Sequence, residues 1–425
     1  MRSRGAPACR SARPRAGSAS GSPGCARSAA RRSACPPPPE PGRRSTSLGR
    51  GSASAVDSHA LLADLYRQTC DRRLPEATTW FDAHTHTGAN DPDGFTATPA
   101  QLVDSLDRTG QSRALVFTSA DPSGYGAAND RVLAEARASD GRLVALARVD
   151  PHAGALQEAR RCLEAGAAGL KLHPRAERFT LSHPAVDEVV ALAAERLMPV
   201  MIHAGRGIPA LGRDAVTLAR RHPGARLILA HAGVSDLSWL WDGVRALPNL
   251  YFDTAWWNVA DLLMLFARVP PGQILYASDM PYGMPEFHGT ALLRCAAAVG
   301  LGDEAVRAIA GGQLARILAR EEPHDMGAAP GPPADPGAVA GPRVAQHLAG
   351  AISRAFGGGD PTEPLALARL ACDVPEAEPE RTNLERCAIL IAAAESAVPE
   401  LPDSLRPVAW PAVTAALIAG TPSVA

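Results

Sequence analysis

The chain has 425 residues, 46% of them hydrophobic, with 43 Lys and Arg against 44 Asp and Glu. That length can bury one large domain plus a smaller one. Residues 1–50 are rich in Arg and hold a single acid, Glu40, so the remainder is acidic and gives no reason to expect nucleic acid as a partner of the folded part.

No stretch approaches the ~18 apolar residues of a membrane span, and no secretory apolar segment is evident. A cytoplasmic protein without membrane contact is therefore expected. The eight cysteines are scattered and form no C-x-x-C pair, which indicates neither a disulfide framework nor a zinc finger.

Residues 1–55 are dominated by Arg, Ser, Ala, Gly and Pro, with Pro36 to Pro39 in a row. Such a tail cannot bury a core and is expected to be disordered. An organelle transit peptide has a similar composition; a plain extension or a mis-chosen start codon is preferred.

From Thr78 to about Ile317, strand-like and helix-like segments alternate. The strand candidates are Thr79–Thr85, Arg113–Ser119, Leu143–Val149, Ala168–His173, Pro199–His203, Arg226–His231, Leu250–Thr254 and Gln273–Ser278. Most are short continuous apolar runs, as parallel strands buried on both faces require. Between them lie amphipathic stretches, for example Pro99–Arg108, Asn129–Ala138, Gly154–Ala165, Ala185–Arg196 and Gly212–Arg221. Eight such units within residues 56–320 predict an α/β fold, a (β/α)8 TIM barrel. A doubly wound open sheet is the rival, disfavoured because no glycine-rich phosphate loop follows the first strand. A Pro/Gly/Ala linker is read over 321–342. Helices predicted at Val344–Phe356, Pro364–Cys372, Glu380–Ala397 and Pro407–Ile418 make residues 343–425 a small all-α domain of unknown role.

Several strand ends carry metal-competent residues. Phe81-Asp82-Ala83-His84-Thr85-His86-Thr87-Gly88 places two histidines two residues apart, hence on one side of a strand. Val200-Met201-Ile202-His203, Ile228-Leu229-Ala230-His231 and Leu275-Tyr276-Ala277-Ser278-Asp279 end in the same manner. In a barrel of this type, chemistry sits at the C-terminal ends of the strands.

Together with Gly-Leu-Lys-Leu-His-Pro around Lys171, these motifs resemble the amidohydrolase superfamily, in its amidohydrolase-related (type 2) branch. The resemblance covers roughly residues 78–320. It implies that His84, His86, His203 and Asp279 ligate a divalent metal, zinc being expected. It also implies that the metal activates a water. Asp279 would accept the water proton, and His231 would be a second ligand or an acid/base group. For His231 the plain alternative is a satisfied strand-end histidine, and for Asp279 a turn residue before Pro281.

Lys171 ends the fourth strand, where two-metal members of the superfamily carry a carbamylated lysine. One metal is expected, or two if Lys171 is carbamylated. Lys171 could instead bind a substrate carboxylate or serve structure, and His173, two residues on, could support it. Arg148, Trp256 and Tyr282 are further candidates for substrate contact, with Trp257, Asn258 and His288 beside them. The aromatic ones suit packing equally well.

The expected activity is hydrolysis of a C–N or C–O bond of a small molecule, an amide or lactone for example. The alternative is nonoxidative decarboxylation of an aromatic or unsaturated carboxylic acid, which the same branch contains. A non-catalytic barrel scaffold is the third reading. A homodimer would be unsurprising for this class.

Overall fold

The computed structural model describes residues 57–91, 94–205, 207–234, 240–241, 243–333, 340–401 and 404–421. The expected disordered tail therefore lies outside the described residues, as does part of the expected linker.

Eight parallel strands follow one another around a barrel in the order β1 to β8. They are β1 (Phe81–Thr87), β2 (Arg113–Thr118), β3 (Leu143–Arg148), β4 (Gly169–Leu172), β5 (Pro199–Ile202), β6 (Arg226–Leu229), β7 (Leu250–Asp253) and β8 (Ile274–Leu275). Each is short and buried along almost its whole length, and all but β1 are mainly apolar. The apolar run continues past β8, but its backbone turns to other partners. Tyr276 N–H donates to Ile309 O, and Ala277 N–H to Thr254 Oγ1. The β1–β8 seam is closed by Ala83 N–H to Tyr276 O (2.9 Å), Asp279 N–H to His84 O (2.9 Å) and His86 N–H to Met280 O (2.8 Å). Asp82 Oδ1 reinforces it by accepting from the backbone N–H groups of both His84 and Ser278 at 3.0 Å.

The outer layer holds α1 (Ser58–Arg73), α2 (Pro99–Arg108), α3 (Gly126–Arg137), α4 (Ala155–Glu164), α5 (Pro184–Glu195), α6 (Leu211–Arg221), α7 (Val259–Arg268) and α8 (Pro285–Ala298). Two short helices follow, α9 (Asp303–Arg307) and α10 (Gln313–Leu318). Thr98-Pro99 opens α2 with a complete capping box against Gln101, the reciprocal pattern that satisfies two orphan N–H groups. Beyond the barrel come α11 (Ala340–Phe356), α12 (Thr362–Ala371), α13 (Arg381–Ala397) and α14 (Arg406–Gly420). Among the described residues, no helix is long and apolar enough to cross a membrane.

The barrel interior is stacked in two chemical layers. Leu115, Phe117, Leu146, Met201, Tyr251, Leu275 and Ala277 form an apolar layer. Two residues further along the same strands stand Arg148 after Leu146, His203 after Met201, Asp253 after Tyr251 and Asp279 after Ala277. The period-two alternation of a strand thus carries each polar group inward above an apolar one.

Strand β1 reaches the same end by a different route. Phe81 pairs with Arg113 and Asp82 with Ala114, but Thr85 pairs with Val116, so β1 holds one extra residue. Phe81 and Ala83 belong to the apolar layer. Plain alternation would then turn His84 and His86 outward. The bulge switches the phase, and both rings enter the barrel. Thr85 Oγ1 donates to Leu115 O at 2.7 Å across the bulge.

Candidate active site

Three side-chain atoms converge at the mouth of the barrel. His84 Nε2 lies 3.2 Å from His86 Nε2 and 3.2 Å from Asp279 Oδ1, and His86 Nε2 lies 3.1 Å from Asp279 Oδ1. His84, His86 and Asp279 form a group competent to hold a metal ion. Donors of a tetrahedral ion with bonds of ~2.0–2.1 Å stand ~3.4 Å apart, so the triangle fits a divalent ion such as zinc. His84 Nδ1 is 2.8 Å from Asp253 Oδ2, and that carboxylate places the ring proton on Nδ1. Nε2 is then a bare donor, in the carboxylate–histidine arrangement that orients metal ligands. Burial, followed by the neighbouring Lys171, holds both histidines well below the usual imidazole value, so both rings are neutral.

Asp253 went unnoticed in the motifs, yet it is the hinge of the site. It is fully buried, and its Oδ1 also accepts from the N–H groups of His231 (2.8 Å) and Ala255 (3.0 Å). Its one sequence signal is an acid ending an apolar strand, the feature that singled out Asp279.

Asp279 itself has φ of 58° and His231 φ of 55°. The left-handed region is uncommon outside glycine and is held by surrounding bonds. For Asp279 these are its N–H to His84 O and its own carbonyl, which accepts from Tyr282 and Gly283. Burial raises the Asp279 carboxyl to about 6, against the pull of His231 and Lys171.

His203 stands apart from the three-atom triangle. Its Nδ1 lies 3.0 Å from His231 Nε2, and its ring stacks on His173 at 3.8 Å. His231 Nδ1 donates to Ala255 O at 2.6 Å, which leaves His231 Nε2 as an acceptor and puts the His203 proton on Nδ1. His203 Nε2 is then a buried lone pair with no hydrogen-bond partner. Gly205 makes room for it, because a Cβ there would stand 2.5 Å from that nitrogen. The four ligands implied by the motifs therefore split into a convergent three and a fourth turned toward His231.

Lys171 is fully buried, and its Nζ has no hydrogen-bond partner while lying 4.5 Å from the Phe117 ring centroid. Burial pulls its amine down to about 7. Arg148 is 1% exposed and pairs with Glu177 at 2.6 Å, so its guanidinium is already engaged. Glu177→Gln removes that partner. It is expected to lower stability by about 3–5 kcal/mol in urea denaturation, because a buried guanidinium loses its compensating charge. Tyr282 donates to Asp91 Oδ2 and packs edge-on to His86. Trp256 Nε1–H donates to Asp261 at 2.7 Å. His288 turns its Nδ1 to Met284 O, and Asn258 caps α7 through Ala260 N–H.

Two cavities meet at the triangle. A polar one of about 370 Å³ is lined by His86, Asp91, Arg148, His173 and Arg175 among others. An apolar one of about 260 Å³ runs past Trp256, Trp257, Met284 and Phe287. Both share His203, His231, Asp279, Tyr282 and Arg175.

None of the curated proteins matches the chain significantly. Solved structures similar to it include 2,6-dihydroxybenzoate decarboxylase from Rhizobium, at 13% identity and TM-score 0.45, over 57% of this chain and 99% of that one. A dihydroxybenzoic acid decarboxylase from Polaromonas, with bound manganese and the inhibitor 2-nitroresorcinol, has 13% identity and TM-score 0.45, over 57% and 97%. The 4-oxalomesaconate hydratase from Rhodopseudomonas palustris has 16% identity and TM-score 0.43, over 57% and 96%. The amidohydrolase family model (Amidohydro_2) matches residues 81–318, from the first residue of β1 to the last of α10. The chain is a member of the amidohydrolase family.

Proposed function

We propose that the protein is a metal-dependent hydrolase that cleaves a C–N or C–O bond of a small molecule, an amide or lactone for example. The convergence of His84 Nε2, His86 Nε2 and Asp279 Oδ1 within 3.2 Å of one another carries this reading. These three residues would hold the ion, zinc by the chemistry of the donors, and when bound it would polarise the substrate and acidify a water. Asp253 keeps His84 in the ligating tautomer. Asp279, raised by burial, accepts the proton of the attacking water and returns it to the leaving group. His231, its Nδ1 proton held by Ala255 O and its Nε2 accepting from His203 Nδ1–H, stands 4.0 Å from Asp279 and shares in that proton transfer.

Decarboxylation of an aromatic or unsaturated acid is the second reading. Lys171, buried beside His84 and His86 with its amine unpartnered, favours it, since an amine there suits a bound carboxylate. Turnover in oxygen-labelled water separates the two. Hydrolysis puts label into the product with no release of carbon dioxide. Stoichiometric carbon dioxide with an unlabelled product would overturn the hydrolase reading.

A further inference from the structure

The family match ends at residue 318, so α11 to α14 are additional to it. Two of these helices nevertheless reach the active-site mouth. Phe356, the last residue of α11, and Ala409, Trp410 and Val413 of α14 line the same apolar cavity as His203, His231 and Asp279. Their placement is fixed by rings. Trp257 stacks on Phe356 with centroids 6.0 Å apart. The Arg406 guanidinium lies 4.5 Å from the Phe95 centroid and 5.2 Å from that of Trp410. Phe95 in turn packs 4.7 Å from Tyr282, and His59 of α1 meets Trp410 edge-on at 4.9 Å. A continuous ladder thus joins α14 to the aromatic ring beside His86.

We propose that α11 and α14 form the specificity wall of the active site, with Trp410 and Val413 holding an apolar, ring-sized part of the substrate remote from the reacting bond. The proposal rests on the reading of the barrel mouth as an active site. An apolar cavity of about 150 Å³ accommodates benzene, so one of about 260 Å³ suits a larger or fused ring. Arg175 borders both cavities and provides a cation for an anionic group at the junction.

The probe is 2-naphthoate, titrated by calorimetry into the full-length protein as purified, with acetate as the small carboxylate control. Naphthoate is expected to bind at least about tenfold more tightly than acetate, the gain that burying a ring supplies. Trp410→Ala should lose about tenfold in naphthoate affinity, and Trp410→Phe should recover most of it. Val413→Trp fills the cavity and should abolish naphthoate binding. Acetate affinity and metal content should stay unchanged in all three, because none touches the triangle. Equal naphthoate affinity in wild type, Trp410→Ala and Val413→Trp, or no preference for naphthoate over acetate, would overturn the wall. Should Trp410→Ala fail to fold, Val413→Trp decides alone. Metal analysis of the wild type is read separately, so a failure of the metal reading is distinguishable from a failure of the wall.

Discussion

His84→Ala is expected to purify as a folded barrel without a bound divalent ion and with turnover lowered by about a thousandfold or more. The ring contributes one vertex of the donor triangle, and a Lewis-acid contribution of several kcal/mol goes with it, at 1.36 kcal/mol per decade of rate. The fold should survive because Asp253 keeps the two backbone N–H groups that Oδ1 already accepts. The seam between β1 and β8 is made by the backbone and Asp82, and loses nothing. Asp253→Asn should give a graded version of the same defect, with metal affinity about 10- to 100-fold weaker, because the ligand remains but its orienting charge is gone. Elemental analysis beside circular dichroism checks both variants. A His84→Ala protein with undiminished metal per chain would refute the three-donor site.

Lys171→Met is expected to raise stability while lowering turnover by about a hundredfold or more. An amine buried without a hydrogen-bond partner is a cost to the fold, and replacing buried charge with an apolar side chain of similar length gains about 1–4 kcal/mol. The gain depends on pH in a defined direction. Folding lowers the Lys171 value to about 7, against ~10.4 unfolded. Between those values the unfolded chain binds the extra proton, so wild-type stability rises with pH. The advantage of Met should therefore be largest below pH 7 and shrink toward pH 10 in metal-stripped protein, measured by urea denaturation. A variant that is less stable and fully active would assign Lys171 to structure alone. A carbon dioxide mass increment on the wild-type lysine would assign it to a carbamate bridge.

Most of the strands were legible because they are continuous apolar runs, and their starts and ends agree with the sequence to within about two residues apart from the shortened β8. β8 departs because its last residues bond across the seam rather than along the sheet. Helix α8, the stretch expected after β8, was given no bounds because it is buried on nearly every side and so lacks the polar face that marks an amphipathic period. Helix α1 was missed for the opposite reason: it is mostly polar, burying only Leu62, Tyr66 and Thr69.

At the site, His84, His86 and Asp279 were legible from strand-end placement. The turn of His203 toward His231 was not, because it depends on the tautomer set by Ala255 O and on space left by Gly205. Asp253 was invisible as a partner because its role lies in a contact with a residue 169 positions away.

The extra residue in β1 has an evolutionary consequence. It makes the strand a splice of two independent segments, one answerable to packing and the other to chemistry. The lower segment can exchange Phe81 or Ala83 for residues of matching bulk without rotating the histidines above. Deleting Ala83 would remove the extra residue and restore plain alternation from Phe81 through His84 to His86, so one small wall residue would be lost and both imidazoles would still face inward. The codon that makes the bulge can thus be lost without turning the candidate metal donors out of the barrel.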